Sequence, residues 1–256
     1  MLRLMYKPFF AALQFLTVLP VPARLSGGER ELARAAPCFP LVGLTIGVAG
    51  AGLDFVLGAA APCGVAAMLT LIFMWGLTGG LHLDGLADTA DGFLSSRPRE
   101  RILEIMKDSS TGPMGVAVMV AVMGLKITSL AAIPDELRWR AILLMPVAGR
   151  CAIVVMMGIL SYVRPGAGLG AVFVSSRSSF DAFWAVFVLV AAGWLAGGWM
   201  GVAIWSASMT LAVGFVSWCH RKIGGYTGDT LGAVCELTET VPFLMAALWG
   251  HRGLGI

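Results

Sequence analysis

The chain has 256 residues, of which 58% are hydrophobic and only 13% are charged, and its formal net charge is +3. A soluble domain carries about 25% charged residues. The apolar residues fall in blocks close to the ~20 residues that cross the hydrocarbon core of a bilayer, so the composition excludes a soluble globular protein. The five cysteines form no Cys-x-x-Cys pair, and neither a disulfide framework nor a zinc site is indicated.

Segments long enough to cross a membrane follow one another along most of the chain. An earlier segment, Phe9–Val21, is apolar but short and ends in prolines, which favours an interfacial or re-entrant helix over a cleaved signal peptide. Gly197-Gly198 lies inside a long uncharged stretch and is a plausible hairpin point. We predict an all-α, polytopic integral membrane bundle of about seven transmembrane helices plus the short N-terminal helix, with spans at 38–60, 64–81, 113–133, 141–162, 182–197, 200–218 and 231–250.

The distribution of Lys and Arg sets the expected orientation. With a cytoplasmic N-terminus, thirteen of these residues lie on the cytoplasmic side and three on the other. Positive charges collect on the cytoplasmic side of membrane proteins. Both polar regions, 82–111 and 219–230, are therefore predicted to face the cytoplasm.

The first polar region carries three aspartates beside an apolar segment. At ~100° per residue, Asp84, Asp88 and Asp91 lie within ~60° of one another on one helix face. Like charges at these spacings repel, and a hard cation such as Mg²⁺ prefers oxygen ligands, so we predict a Mg²⁺ site. Gly85 is expected to leave room there for a bulky ligand. His82 is either a ligand-binding residue or an ordinary hydrogen-bonded residue.

The second region runs from a charged helix into a hydroxyl-rich turn. Glu100, Glu104 and Asp108 recur every four residues and are predicted to share a helix face. Lys107, Asp108 and Ser109 then precede a turn whose hydroxyls and N–H groups suit phosphate. The alternative is an ordinary cap before the next span.

The third region is rich in glycine. Gly225, Thr227 and Gly228 lie in a stretch whose backbone could approach a ligand closely. Asp229 and Glu236 share one face of the helix expected to follow.

Carboxylates at or inside the membrane boundary are costly and by default functional. Glu236 and Glu239 are such residues, and their alternative role is a structural pairing with Arg150 or Lys126. Two acidic clusters on one side, with a basic hydroxyl-rich loop between them, indicate a phosphoryl-transfer site.

The motifs resemble those of the cobalamin (5′-phosphate) synthase family, also called adenosylcobinamide-GDP ribazoletransferases. The matching pieces keep the family's order and cover most of the chain, although Ser110 stands where the family often has arginine. They are Phe15-Leu-Thr-Val-Leu-Pro-Val-Pro22, Phe39-Pro-Leu-Val-Gly-Leu44, Gly80-Leu-His-Leu-Asp-Gly-Leu-Ala-Asp-Thr-Ala-Asp-Gly92, Met106-Lys-Asp-Ser109 and Gly225-Tyr-Thr-Gly-Asp-Thr-Leu-Gly-Ala233.

This resemblance implies a Mg²⁺-dependent bacterial inner-membrane enzyme, with residues 1–256 forming a single transmembrane catalytic domain. Its expected partners are small molecules and membrane lipid, with no nucleic acid. The enzyme would join adenosylcobinamide-GDP to α-ribazole, or its 5′-phosphate, and release GMP.

The resemblance also implies roles for residues of the three regions. Asp84, Asp88 and Asp91 would hold Mg²⁺ on the diphosphate. Asp229, with Glu236, would complete the metal site or act as base. Lys107 and Arg150 would take phosphate charge.

Two alternatives remain open at this point. A CDP-alcohol phosphatidyltransferase also uses spaced aspartates, but its signature continues Asp-Gly-x-x-Ala-Arg, and no arginine follows Asp84 at that spacing. A cation or metabolite transporter would place its carboxylates near the bilayer midplane, whereas these lie at span ends.

Overall fold

The computed structural model describes residues 2–164, 169–176 and 179–252, and within these ranges the chain is helical apart from turns and one isolated bridge. Short 3₁₀ segments cover Ala36–Cys38 and Leu169–Ser176. The α-helices are α1 (Leu2–Leu16), α2 (Ala23–Ser26), α3 (Glu29–Ala33), α4 (Phe39–Gly58), α5 (Cys63–Thr78), α6 (Leu81–Phe93), α7 (Arg99–Ile105), α8 (Pro113–Ala132), α9 (Asp135–Ile159), α10 (Ser179–Ile223) and α11 (Gly228–His251).

Five of the described helices are long and apolar enough to cross a membrane. They are α4 together with the preceding 3₁₀ turn, α8, α9, α10 and α11. Helix α5 passes the same test only together with α6, from which a 90° bend separates it, and the pair raises the number of candidate spans to six. The all-helical membrane architecture is confirmed, while the predicted count of seven spans is not reached on length and composition alone.

Helix α10 is interrupted at the predicted hairpin point. Gly198 has φ 53° and ψ −127°, a conformation that glycine adopts without a steric penalty. A Cβ atom on Gly201 would clash with the backbone carbonyl of Gly193, so the two halves of α10 fold back against each other.

Helix α9 forms the centre of the bundle. In its most apolar window 83% of residues are buried, against 33% or less in α4, α8 and α10. Helix α4 lies directly on it, because a Cβ at Gly43 or Gly47 would come within 2.6 Å of a carbonyl of Pro146 or Leu143. These two glycines provide the close helix packing that small residues allow in lipid.

The first turns of α9 hold a buried ion pair that extends the helix beyond the predicted span. Nε and Nη2 of Arg138 each donate to Asp54 of α4 at 2.7 Å, and the hydroxyl of Thr70 on α5 donates to the same carboxylate at 3.1 Å. The prediction that this span starts at residue 141 was wrong. The helix begins at Asp135, because the paired guanidinium can be buried where an unpaired one could not.

Candidate active site

Two glycines bring α6 and α11 into backbone contact. A Cβ on Gly85 would lie 2.7 Å from the carbonyl oxygen of Asp229, and one on Gly232 would lie 2.9 Å from that of His82. Gly85 therefore serves close packing against α11; it also lines the cavity, and the room it leaves for a ligand stays a prediction. The consequence is that Asp84 on α6 and Asp229 on α11 line the same cavity.

A short backbone bridge fixes the start of α11 to the segment that follows α9. The amide of Tyr226 donates to the carbonyl of Ser161 at 3.0 Å, and the amide of Val163 donates to the carbonyl of Tyr226 at 3.0 Å. A Cβ on Gly225 would clash with that Ser161 carbonyl, so this glycine admits protein backbone at the position predicted for ligand approach. The bridge places Arg164 against α11, and its Nη1 donates to Oδ2 of Asp229 at 2.8 Å.

Thr227 begins α11 as its N-cap. Its hydroxyl accepts from the amide of Thr230 at 3.2 Å, and its own amide donates to the Thr230 hydroxyl at 2.9 Å. This capping box satisfies N–H groups at the helix start, and Thr227 is fully buried. The predicted substrate-binding residue Thr227 therefore orients the helix, while its neighbour Gly228 lines the cavity.

The cavity between these elements encloses about 230 Å³ and has two chemically different parts. The polar part gathers around the Arg164–Asp229 pair and includes Asp84, His82 and Tyr162. The apolar part includes three phenylalanines from separate elements, together with Leu16, Ile153 and Leu231. The space suits one nucleoside-sized group.

The polar part carries more negative than positive charge. Burial and the charges of Asp84, Asp229 and Asp91 raise the pKa of Asp88, on the short helix beyond the 90° bend, to about 7. Among the cavity-lining residues that the structure describes, Arg164 carries the only permanent positive charge. Asp84 and Asp229 line this part and Asp88 lies beside them, so the carboxylates outnumber the one guanidinium, and a divalent cation would compensate the excess negative charge.

The donor set fits Mg²⁺ better than a metal that needs a closed protein cage. Within the described ranges, no three His, Cys, Asp or Glu side chains converge on one point as a preformed metal site. Mg²⁺ usually takes only one or two carboxylates and completes its shell with water and substrate phosphate. Asp84 and Asp88, four residues apart on one face of α6, can supply those oxygens.

Asp91 is engaged elsewhere. Its two carboxylate oxygens accept hydrogen bonds from the amides of Gly112 and Gly115 at 2.7 and 2.9 Å, at the start of α8. Asp91 does not line the cavity. These contacts indicate that it fixes the N-terminus of α8, and its role as a metal ligand stays a prediction.

The predicted phosphate-binding turn lies away from the cavity. Lys107, Asp108 and Ser109 are exposed, and none of them lines it. Helix α7 ends at Ile105, so the prediction that Asp108 shares its face with Glu104 was wrong. Hydrogen bonds from the side chain and amide of Ser110 close a local turn and lower the pKa of Asp108.

Arg150 and Glu236 belong to a buried ion network. Nζ of Lys126 donates to Glu236 at 2.6 Å and to Glu239 at 2.8 Å, and Arg150 pairs with Glu239. All four side chains are at most 5% exposed. Of the two roles left open for these glutamates, the structure shows the structural pairing. His82 lies between this network and the cavity, and it is itself buried.

The structure adds Arg164 to the site, a residue that the motif analysis did not single out. Its sequence signal was weak: it is a cation just after a predicted span, on the side assigned to both acidic clusters. No motif spacing relates it to Asp229, which lies 65 positions further along the chain.

Known proteins match nearly the whole chain. The model of the Cobalamin-5-phosphate synthase family matches residues 8–247. An adenosylcobinamide-GDP ribazoletransferase of Geotalea daltonii is 38% identical over 97% of this chain and 100% of its own length. Another of Pseudomonas putida (strain W619) is 42% identical over 94% of this chain and 98% of its own. No solved structure matches significantly. The chain belongs to the Cobalamin-5-phosphate synthase family.

Proposed function

We propose that this protein is an adenosylcobinamide-GDP ribazoletransferase. It joins adenosylcobinamide-GDP to α-ribazole, or to its 5′-phosphate, and releases GMP in a late step of cobalamin biosynthesis. The observation that supports the proposal is that residues from two family motifs line the same cavity. The aspartate-rich motif of α6 supplies Asp84, and the glycine-rich motif before α11 supplies Asp229, which Arg164 holds.

The reaction is a displacement at phosphorus. An oxygen of a ribazole hydroxyl forms a bond to the phosphorus that carries the cobinamide arm, and the bond from that phosphorus to the GMP oxygen breaks. Asp229 would accept the hydroxyl proton. Its Oδ2 is held by Arg164 at 2.8 Å and by the Thr227 hydroxyl at 3.3 Å, which leaves Oδ1 for the proton.

Arg164 is the residue we assign to phosphate binding. A guanidinium has five N–H donors, and bonds to Asp229 and to the carbonyl of Leu103 use only part of this capacity. Its Nε is buried without a hydrogen-bond partner in the structure. A substrate phosphate oxygen would accept from the Nη1 and Nη2 N–H groups that these two bonds do not use.

Asp84, which lines the polar part of the cavity, and Asp88, one helical turn further along α6, would hold Mg²⁺. When bound, the ion neutralises charge on the diphosphate oxygens and on the leaving phosphate. The residues of this chain orient the diphosphate between α6 and Arg164.

We further propose seven crossings and a cytoplasm-facing cavity. The two halves of α10 would cross separately, and α5 would cross before the 90° bend, which leaves α6 at the membrane boundary. The excess of Lys and Arg on the cavity side supports a bacterial inner-membrane protein whose active site opens to the cytoplasm.

The test uses purified protein in detergent with adenosylcobinamide-GDP, α-ribazole 5′-phosphate and Mg²⁺. We expect one GMP released for each corrinoid product, and loss of turnover when EDTA removes the metal and its return when Mg²⁺ is restored. Folded protein that releases no GMP under these conditions would contradict the function. Turnover that persists in EDTA would contradict the metal assignment alone.

A further inference from the structure

The apolar part of the cavity contains an aromatic cluster, formed by Phe15, Phe39 and Phe173. The rings of Phe15 and Phe39 are stacked at 6.1 Å between centroids. Phe173 meets both edge-on, at 5.3 Å from Phe15 and 5.5 Å from Phe39. Because α1, α4 and the 3₁₀ segment Leu169–Ser176 each supply one ring, the fold brings distant parts of the chain together here.

Two motifs shared with the family have no part in the phosphorus chemistry. They begin at Phe15 and Phe39, and neither contains an acid or a base. The structure places the first residue of each in the wall of the cavity that contains Asp84 and Asp229. Each motif therefore contributes one aromatic ring to the wall of the candidate active site.

We propose that this aromatic cluster binds the flat base of the ribazole substrate, with its ribose directed toward Asp84 and Asp229. The inference rests on the proposed function and assigns one of its two substrates to a place. A base that stacks on aromatic side chains gains about 1–3 kcal/mol. The cavity volume of about 230 Å³ accommodates a nucleoside and excludes a corrinoid ring, which must stay outside.

The chemistry of the wall selects between the two bases in the reaction. Guanine carries donors and acceptors along its edge, and burying them without partners would cost about 1–3 kcal/mol for each group. The apolar part offers phenylalanine, leucine and isoleucine side chains, which cannot pair with such an edge. The benzimidazole base of ribazole has no exocyclic polar group, so it can be buried there without that loss.

A substitution at Phe15 tests the proposal through the two substrates separately, because Phe39 and Phe173 are only 1% and 3% exposed and Phe15 is the partly exposed ring of the cluster. Phe15→Leu keeps an apolar side chain and removes that ring. We expect the KM for α-ribazole to rise about 5- to 150-fold, the range that corresponds to 1–3 kcal/mol of stacking, with less than a twofold change in the KM for adenosylcobinamide-GDP. An unchanged KM for α-ribazole, or an equal rise for both substrates, would overturn the assignment.

Phe215→Leu is the matched control. Phe215 lies in a second aromatic cluster, stacked on Phe93 at 6.5 Å and next to Trp218 at 5.9 Å, and it does not line the cavity. We expect neither KM to change by more than twofold. A rise in the KM for α-ribazole equal to that of Phe15→Leu would show a general packing effect and reject the proposal.

A binding measurement on the wild-type protein does not depend on turnover or on the stability of a variant. Equilibrium dialysis with α-ribazole measures its Kd, and benzimidazole riboside and guanosine are added as competitors. We expect benzimidazole riboside to displace α-ribazole and guanosine to leave it bound at the same concentration. Displacement by guanosine, or no binding of α-ribazole, would overturn the inference. A failure of the proposed function would instead appear as intact α-ribazole binding without GMP release.

Discussion

Two groups of charged residues lie close together at the interface of α6, α8, α9 and α11, and they differ in balance. The buried network consists of Lys126, Arg150, Glu236 and Glu239, two cations against two anions, all shielded from solvent. The cavity group sets Asp84 and Asp229, with Asp88 beside them, against Arg164, and it is open enough for Asp84 to be exposed.

The difference separates structural from functional charge. In a closed set, each charge is compensated by a partner on another helix, and the pairs hold the helices together. Removing either partner leaves an uncompensated ion in a low-dielectric interior, which is strongly destabilising. An unbalanced set at a cavity needs something from outside the chain, here a divalent cation and an anionic substrate. Membrane location alone marks both groups as costly, and only their charge balance distinguishes them.

A substitution at Lys126 is expected to have the largest effect on stability, and it tests whether the buried network is structural. Lys126→Met leaves Glu236 and Glu239 with one cation between them, and we expect a loss of about 3–5 kcal/mol in the free energy of unfolding. Denaturant unfolding in detergent measures it. Lys107→Met, at an exposed lysine, is the control and should change stability by less than about 0.5 kcal/mol. Equal stability of both variants would show that the network is not structural.

Substitutions in the cavity group should lower the activity of the enzyme without a comparable loss of stability. We expect Asp84→Asn and Asp229→Asn each to lower kcat at least about 100-fold, or ~2.7 kcal/mol, because one loses a metal oxygen and the other the proton acceptor.

Binding of Mn²⁺, followed by electron paramagnetic resonance, separates these two roles. Asp84→Asn should weaken Mn²⁺ binding, and Asp229→Asn should leave it within about threefold. The reverse order would exchange the assignments of the two residues.

The bridge that positions Arg164 can be disturbed without touching any charge. Gly225→Ala would drive a methyl group into the Ser161 carbonyl and shift Arg164 away from Asp229. We expect kcat/KM to fall about 10- to 100-fold, since small displacements of positioned groups cost that much. Gly214→Ala, where nothing lies within 4 Å of the new Cβ, should retain wild-type kcat/KM.

Arg164 itself should show the effect of phosphate binding. Arg164→Gln is expected to raise the KM for adenosylcobinamide-GDP about tenfold, because a charge-assisted hydrogen bond contributes about 1.5–3 kcal/mol. Arg164→Lys should recover part of this loss through its charge. A KM that is unchanged in Arg164→Gln would remove Arg164 from the substrate site.

A substitution at Asp91 should have the smallest effect on stability. It tests whether this carboxylate has a structural role or binds the metal. Asp91→Asn weakens the hydrogen bonds to Gly112 and Gly115, and we expect a loss of about 1 kcal/mol in stability. Mn²⁺ affinity should stay within about twofold of wild type. A large loss of Mn²⁺ affinity would instead make Asp91 a ligand, as the helix face predicts.

The sequence predicted what depends on local spacing. Helix α6 carries Asp84 and Asp88 on one face, α11 begins at the glycine-rich stretch, and α10 breaks at Gly198, as helical periodicity and glycine chemistry indicate. These features need only neighbours a few residues apart. The substrates and the product of the reaction came from the family resemblance and not from spacing.

The parts that the sequence did not predict depend on contacts between distant residues. Sequence spacing could not show that α11 packs against Gly85 or that Arg164 donates a hydrogen bond to Asp229. It also could not show that the backbone amide of Gly112 donates a hydrogen bond to the Asp91 carboxylate. The family resemblance implied that Arg150 takes phosphate charge, and a structural pairing with the glutamates of α11 was the alternative. The structure pairs it with Glu239 instead.

The buried network also has a consequence for how the protein is made. Lys126 and Arg150 lie in α8 and α9, whereas both of their carboxylate partners lie in α11, which is synthesised after them. A lysine or arginine at the centre of an inserting helix costs about 2.5–3.5 kcal/mol. The nascent chain therefore holds these two cations in the bilayer without their carboxylate partners until α11 has been made.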